Sequence, residues 1–285
     1  MYIDPMLLDD LEKPFESQDH IAELKIDGIR SIISRNQRSR IYTRHQNEIT
    51  YRFQEVVSAA ESAVATGTIL DGELVVCDTE SGKPDFAATM RRFQSTPRLK
   101  HTPGLTFVAF DILSYKGEST RSLPLMKRKQ LLEEAVQEND IFKRIRFMEH
   151  GFVPLFELCR QQGLEGIVLK QRSSLYHAGK RPKELWQRVV VYQREDCFIT
   201  GYSKKEVAWT LGVLRNGQLV PAGTLKYGLT DTIRKKAFPI LLNTKVSENK
   251  NFVFVLPEIQ VRVRFRHWTD EGYLRLPVFE EFVQI

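Results

Sequence analysis

The stretch AELKIDGIRSIIS, residues 22–34, places a single lysine, Lys25, between two runs of strand-forming residues. The Asp-Gly pair that follows the lysine is typical of a tight turn. Two interpretations follow: a hairpin with a stray charge, or a lysine positioned as a nucleophile. A lysine attacks phosphorus only when it is neutral, so neighbouring cations or desolvation must lower its pKa. Arg30 supplies a nearby cation, and Gly28 permits a tight turn and leaves room for a phosphate near the backbone.

The composition is that of a globular chain with a basic charge balance. Of its 285 residues, 42% are hydrophobic and 27% are charged, which suits one large domain or two modest ones. No apolar run reaches the ~20 residues that span a bilayer. The acidic N-terminus lacks the apolar core of a signal peptide, so we expect a cytoplasmic protein. The net charge is +6, with 14 Lys/Arg against 10 Asp/Glu from residue 191 onward, which favours a polyanionic partner.

Several kinds of site are excluded by residue spacing. Cys77, Cys159 and Cys197 are far apart and form no Cys-x-x-Cys pair, which argues against a zinc site and a disulfide framework. The six histidines form no His-Glu-x-x-His cluster, and no Gly-x-x-x-x-Gly-Lys-Ser/Thr segment indicates a P-loop ATPase.

The order of predicted elements indicates two domains. Three strands over residues 20–46 precede an amphipathic helix over residues 51–65. Further strands are predicted at residues 68–78, 105–113 and 165–170, and helices at residues 85–94 and 125–138. After Trp186, short strands recur with one helix near residues 231–242, which suggests an oligonucleotide-binding (OB) barrel. We therefore predict an α+β chain with domains at residues 1–190 and 191–285.

Further segments accompany Lys25 in order along the chain. They are LDGEL at 70–74, FVAFDIL at 107–113, EGIVLK at 165–170, Trp186 followed by Arg188, and GYLRLPVF at 272–279. This set resembles the motifs of ATP-dependent DNA ligases, within the superfamily that includes mRNA-capping enzymes. The resemblance covers almost the whole chain, and is closest to compact ligases of bacteria and phages and to the ligase module of bacterial end-joining enzymes. It implies a mixed-sheet nucleotidyltransferase domain of the ATP-grasp-like ligase type, followed by an OB-fold barrel.

The resemblance implies a reaction in three steps. Lys25 attacks the α-phosphorus of ATP and becomes lysyl-AMP, the AMP passes to the 5′-phosphate of a nick in duplex DNA, and the 3′-hydroxyl then displaces AMP. It also implies Mg²⁺ or Mn²⁺ as cofactor and a monomeric enzyme. The pathway that uses the enzyme and any loading partner stay open.

The resemblance assigns the base and the sugar of ATP to particular residues. Glu23 matches the residue that contacts the adenine amino group, and Phe110 matches the aromatic ring that stacks on adenine. Arg30 and Arg44 match arginines that hold ribose or phosphate, and Glu73 matches a ribose-binding glutamate.

The phosphates and the metal are assigned in the same way. Lys170 and Arg188 match cations at the α-phosphate, and the implied metal ligands are Glu165, Glu73 and Asp27. Taken singly, each residue has a simpler explanation, such as a solvated charge. The order and spacing of the segments together favour the ligase interpretation.

Four other functions use related features. A capping-type guanylyltransferase shares the Lys-x-Asp-Gly core, and an RNA ligase shares the motifs, which do not specify the sugar. NAD-dependent ligases carry an additional domain before the lysine, and only 24 residues precede Lys25, so we expect ATP. A barrel with a degenerate transferase domain would be a non-catalytic nucleic-acid binder.

Two features of the second half lead to further predictions. Arg262, Arg264 and Arg266 alternate with apolar residues, so a strand would place all three on one face, where they could contact DNA phosphates. The family's fifth motif commonly has two lysines, but here Arg188 and Val190 occupy those positions, and the chain ends without a basic segment that relatives often carry. We therefore predict slow self-adenylation beside competent sealing of pre-adenylated nicks.

Overall fold

The structure, a computed structural model, describes residues 1–95 and 102–285. Residues Met1–Val191 and Tyr192–Ile285 form two compact units, and each has its own hydrophobic core. Among the described residues, no helix is long and apolar enough to cross a membrane.

The first unit contains strands and helices in mixed order. Its strands are β1 Asp9–Leu11, β2 His20–Leu24, β3 Ile29–Arg35, β4 Ser39–Thr43, β5 Thr68–Cys77, β6 Pro84–Asp85, β7 Leu105–Tyr115, β8 Glu118–Ser119, β9 Phe142–Arg144, β10 Phe147–Met148, β11 Gly166–Gln171 and β12 Trp186–Val190. Its α-helices are α1 Gln54–Ala63, α2 Phe86–Gln94, α3 Leu125–Ala135 and α4 Phe152–Gln162.

Two sheets make up this unit. The first has the order β1-β12-β11-β2-β10, and the second has the order β4-β3-β5-β7-β8, with β6 on β5 and β9 on β7. Most pairs are antiparallel, but β1 with β12 and β7 with β9 are parallel, so the sheets are mixed.

One apolar cluster joins the facing sides of the two sheets. It contains Ile21 of β2, Ile32 of β3 and Trp186 of β12. The neighbouring residue on each strand points to the opposite side, as the period of two requires. Ala22 therefore packs with α4 outside the first sheet, and Ile33 packs with α1 and α3 outside the second.

The second unit is an antiparallel barrel. Its elements are β13 Gln193–Ser203, β14 Trp209–Arg215, β15 Gln218–Leu225, α5 Asp231–Asn243, β16 Lys245–Glu248, β17 Phe252–Val255, β18 Gln260–Phe265 and β19 Val278–Gln284. Strand β13 pairs with β14, β17 and β18, and β18 pairs with β19. A parallel bridge from Tyr227 to Val278 joins the chain after β15 to β19 and closes the barrel. With α5 between β15 and β18, this is the predicted OB-fold.

The predicted elements are confirmed, and the structure adds others. The helix predicted over residues 51–65 is α1, preceded by a 3₁₀ turn at Thr50–Arg52. Helix α4 was not predicted. The prediction for the three barrel arginines needs a correction, because β18 ends at Phe265. Arg262 and Arg264 lie in the strand, whereas Arg266 follows it.

Candidate active site

A cavity of about 550 Å³ lies between the two sheets of the first unit. Its volume is in the range of small-molecule sites. Eight of the residues predicted from the sequence line it: Glu23, Lys25, Arg30, Arg44, Glu73, Phe110, Lys170 and Arg188. Val168 and Trp186 line it as well. Val168 and Lys170 are alternate residues of β11, and Trp186 and Arg188 are alternate residues of β12, so one face of each strand borders the cavity.

Lys25 follows the end of β2 and contacts a carboxylate. Its backbone N–H donates to the carbonyl of Gly166 at 2.9 Å, which anchors the end of β2 against β11. Its Nζ donates to Oε2 of Glu165 at 2.8 Å, and both side chains are mostly buried. The amine is therefore presented at the wall of the cavity in an ion pair.

The glycine after Lys25 is required by a neighbouring strand. A Cβ on Gly28 would lie 2.4 Å from the carbonyl oxygen of Leu74 in β5, closer than any real contact. Gly28 does not adopt a positive φ. The chain bends at Gly28, and the close approach seen there is that of β5. The approach of a phosphate to this glycine stays a prediction.

Arg30 is held by a buried carboxylate that the sequence did not single out. Its Nε and Nη2 donate to Oδ1 and Oδ2 of Asp71 at 3.0 and 2.7 Å. Asp71 also accepts from the hydroxyl of Tyr176 at 2.6 Å. The guanidinium of Arg30 lies 5.1 Å from the ring centroid of Phe110. A bidentate pair with a fully buried partner fixes the guanidinium beside the cavity.

Glu73 has a strongly perturbed acidity. Burial raises the pKa of Glu73 to about 8, while the charges of Lys25 and Arg30 act in the opposite direction. Glu165 and Asp71 raise it further. A carboxyl group in this state is ready to ionise when a cation approaches.

Glu23 stands between two lysines at one end of the cavity. Its side chain is almost fully buried. Lys170 Nζ donates to Oε2 at 2.7 Å, and Lys129 Nζ donates to Oε1. Burial lowers the pKa of Lys170 to about 8, although Glu23 acts to raise it. The ammonium of Lys170 also lies 4.6 Å from the centroid of Phe110 and 4.1 Å from that of Trp186.

The remaining predicted cations differ in their partners. Arg188 forms a two-pronged ion pair with Asp10, with Nη2 and Oδ2 3.0 Å apart. The pairing of β1 with β12 sets Asp10 opposite Arg188. The backbone N–H of Arg44 donates to the carbonyl of Arg30 at 3.1 Å, and its side chain is exposed at the edge of the cavity.

The three predicted metal ligands are placed differently. Glu165 contacts Lys25, Glu73 lines the cavity, and Asp27 is not among the residues that line it. Within residues 1–95 and 102–285, no group of three or more Asp, Glu, His or Cys side chains could hold a metal ion. Glu165 and Glu73 nevertheless supply carboxylate oxygens beside Lys25 and in the cavity wall, and such oxygens are the ligands that Mg²⁺ takes from proteins.

Sequence reasoning missed three buried residues of this site: Asp71, Lys129 and Tyr176. Lys129 could have been noticed, since it lies on the apolar stripe of α3 between Leu125 and Leu132. The roles of Asp71 and Tyr176 follow from contacts between segments 105 residues apart. No local pattern carries that information.

Comparison with known proteins identifies relatives over nearly the whole chain. A family model described as the ATP dependent DNA ligase domain matches residues 5–189, and one described as the ATP dependent DNA ligase C terminal region matches residues 203–283. The SPbeta prophage-derived DNA ligase-like protein LigB of Bacillus subtilis is 34% identical over 283 residues, covering 99% of both chains.

Two mycobacterial proteins are more distant matches. The multifunctional non-homologous end joining protein LigD of Mycobacterium bovis is 25% identical over 272 residues, covering 89% of this chain but 34% of that protein. A solved structure of mycobacterial DNA ligase D complexed with ATP and MES aligns with a TM-score of 0.60 at 24% identity, over 99% of this chain and 95% of that chain. The fold predicted from the motifs is thereby confirmed.

Proposed function

Because this chain belongs to the family of ATP-dependent DNA ligases, we propose that it seals nicks in duplex DNA and that Lys25 is the residue it adenylates. The observation that supports this assignment is the position of the Lys25 amine. It stands at the wall of a cavity of nucleotide size, within 2.8 Å of Glu165 and beside Arg30 and Glu73.

The proposed reaction transfers AMP twice before the strand is joined. The amine of Lys25 loses a proton and attacks the α-phosphorus of ATP, so that a P–N bond forms and pyrophosphate leaves. The 5′-phosphate of the nick then attacks the same phosphorus and frees the lysine. Finally the 3′-hydroxyl loses its proton, attacks the 5′-phosphate and displaces AMP. In such steps the protein contributes mainly positioning and neutralisation of charge.

We assign the base and ribose to the part of the cavity where carboxylates and an aromatic ring meet. Glu23 would accept the adenine amino group, and the base would stack between Phe110 and Val168. Glu73 would contact the ribose, with Arg30 held beside it by Asp71. All of these assignments except Val168 and Asp71 were predicted from the motifs.

We assign the phosphates to Arg44, Lys170 and Arg188. In the described part of the chain no ion pair joins Arg44 to a carboxylate. Lys170 and Arg188 are each bound to a carboxylate, and would have to exchange it for a phosphate oxygen. This exchange offsets part of what a charge-assisted contact contributes, which is about 1.5–3 kcal/mol.

A divalent cation would be held by Glu165 and Glu73, with phosphate oxygens and water completing its ligands. Its chemistry there would be to neutralise charge on the triphosphate. To hold such a cation, Glu165 would have to release the Lys25 ammonium, which it contacts at 2.8 Å. Asp27 as a third ligand stays a prediction.

The proposed substrate is a nick with a 5′-phosphate and a 3′-hydroxyl in duplex DNA, and one chain suffices for sealing. Sedimentation of the protein bound to a nicked duplex gives the number of chains per nick. Measured at the concentrations that support sealing, it tests whether one chain suffices. Two chains per nick at the concentrations that support sealing would contradict it.

Covalent labelling tests the function directly. Incubation with α-labelled ATP and Mg²⁺ should label the protein, and a chase with nicked duplex should remove the label and yield a sealed strand. Lys25→Ala should abolish labelling and preserve the fold, whereas Lys127→Ala, at an exposed lysine of α3, should label normally. Labelling of Lys25→Ala would show that the nucleophile is another residue, and labelling from GTP alone would favour a capping-type enzyme.

A further inference from the structure

The carboxylate of Glu23 is held at both oxygens by buried amines. Lys129 donates to Oε1, and Lys170 donates to Oε2 at 2.7 Å. The exposed fractions of Glu23, Lys129 and Lys170 are 2%, 8% and 2%. A carboxylate with a donor on each oxygen has a single orientation.

The two lysines differ in their relation to the cavity. Lys170 lines it, whereas Lys129 is not among its lining residues and contacts the other carboxylate oxygen of Glu23. The ammonium of Lys129 makes a second contact, donating to the backbone carbonyl of Phe110 at 2.7 Å. One amine therefore links the carboxylate assigned to the edge of the base with the strand that carries the ring assigned to its face.

The position of Lys129 on its helix is that of a core residue. It lies on the buried side of α3 with Leu125 and Leu132. Burying an ammonium there is unfavourable unless it is paired, and an apolar residue would fill the place at lower cost. Its two polar contacts, to Glu23 and to the Phe110 carbonyl, are both with parts of the proposed base site.

We propose that Lys129 is a positioning residue for recognition of the adenine amino group. This inference rests on the proposed nucleotide site. Lys129 holds Oε1 of Glu23, and Oε2 is left to accept from an amino group of the base when Lys170 exchanges it for a phosphate oxygen. With the carboxylate fixed by Lys129 and Lys170 moved to a phosphate oxygen, the base edge meets the acceptors of Glu23, which suits a 6-amino purine and repels the oxygen of a 6-oxo purine. A site built for such a hydrogen bond rejects analogues that lack the donor.

The test compares two nucleotides that differ only in the contact concerned. ATP carries the 6-amino group, and purine riboside triphosphate lacks it. Single-turnover self-labelling is measured against nucleotide concentration for the wild-type chain, Lys129→Met and Glu23→Gln. Lys129→Met keeps the length of the side chain but removes the ammonium. Lys127→Met, at an exposed lysine of the same helix, is the matched control.

We expect Lys129→Met to weaken the apparent affinity for ATP by ~10-fold or more and to change that for purine riboside triphosphate by less than ~3-fold. The rate constant at saturating ATP should change little, and Lys129→Arg should restore part of the preference for ATP. Glu23→Gln should lose the same preference, and adding Lys129→Met to it should have no further effect.

An equal loss with both nucleotides would assign Lys129 a structural role only, and an unchanged preference for ATP would show that Glu23 does not depend on it. Either result overturns the proposal. Should Lys129→Met fail to fold, Lys129→Gln, which retains a hydrogen-bond donor but not the charge, takes its place. The quantity compared is again the ratio of the apparent affinities for ATP and purine riboside triphosphate, and a ratio equal to that of the wild-type chain would count against the proposal. Failure of the proposed function looks different, because the wild-type chain would then take label from neither nucleotide.

Discussion

Glu73 is a carboxyl group in surroundings that disfavour its ionised form. Burial raises its pKa to about 8, and the nearby carboxylates Glu165 and Asp71 act in the same direction. Lys25 and Arg30 oppose this shift without cancelling it. Near neutral pH, Glu73 therefore carries a proton. A cation could displace this proton, or the carboxyl group could donate it in a hydrogen bond to a ribose oxygen.

The raised pKa of Glu73 has a consequence for stability. The folded chain keeps the proton between about pH 4.5 and about pH 8, a range in which the unfolded chain has lost it. The free energy of unfolding therefore falls as the pH rises from the pKa of Glu73 in the unfolded chain to its pKa in the folded chain. The contribution of the protonated carboxyl group is fully present below the first value and is lost above the second. Glu73→Gln removes this dependence.

We expect the unfolding free energy of Glu73→Gln, relative to the wild-type chain, to increase from about pH 5 to about pH 8, by at most ~1.4 kcal/mol per pH unit. Urea denaturation followed by tryptophan fluorescence at a series of pH values measures it. Glu134→Gln, at an exposed glutamate of α3, should give a flat difference. A flat difference for Glu73→Gln as well would mean that this carboxyl is ionised throughout.

At the scale of elements, strands were predicted well because their signal is local. Ile32 and Ile33 in β3, and Trp186 and Val189 in β12, point to opposite faces as the period of two requires. Helix α4 was missed although Gly151 and Gly163, both left-handed, bracket it. A left-handed glycine after the last turn, such as Gly163, is a typical C-terminal signal, and Pro154 lies in the first turn, where a helix tolerates proline.

Part of the site could not be predicted from the sequence, because its side-chain contacts join distant residues and leave no local signal of the kind that predicted the strands. The motifs located Lys25, Arg30 and Glu73, because the family's order of segments is a sequence property. The pairs Glu23–Lys129 and Arg188–Asp10 join residues 106 and 178 positions apart, and only the packing of strands and helices sets them. Side-chain partners across such distances have no local signature.

Strand β18 shows how such partners alter a prediction about DNA. Arg262 donates to both oxygens of Asp196, at 2.8 and 2.9 Å, and to Glu281 at 2.7 Å. Arg264 lies on the same face of the strand, with its guanidinium 4.8 Å from the ring centroid of Tyr192. Two carboxylates largely neutralise Arg262, whereas an aromatic ring leaves the charge of Arg264 available to a phosphate.

We therefore expect the two arginines to differ in the salt dependence of nick binding. Arg264→Ala should weaken binding and lower the slope of log affinity against log salt by ~1. Arg262→Ala should leave that slope unchanged, which makes it the matched control on the same strand. Fluorescence anisotropy with a labelled nicked duplex at several salt concentrations measures both. A reduced slope for Arg262→Ala alone would reverse the assignment.

At the scale of the whole molecule, the distribution of cations affects the two halves of the reaction unequally. Self-adenylation must hold a triphosphate and align pyrophosphate as leaving group, whereas sealing a nick that already carries AMP needs less positive charge. Lys170 and Arg188 are the cations predicted for the α-phosphate, and each is bound to a carboxylate in the structure. Val190, in place of a second motif lysine, is buried in β12 opposite Gly166 and adds no charge.

We expect slow self-adenylation beside competent sealing of pre-adenylated nicks, because one missing charge-assisted contact costs about 1.5–3 kcal/mol, roughly one to two decades in rate or affinity. Val190→Lys should accelerate adenylation and leave sealing of a pre-adenylated nick unchanged. Val190→Met, of similar length but uncharged, controls for the disturbance of a buried position. Single-turnover rates of both steps, at a series of ATP concentrations, measure the effect. Fast adenylation that saturates at low ATP in the wild-type chain, and that Val190→Lys does not change, would show that other groups already supply the missing charge.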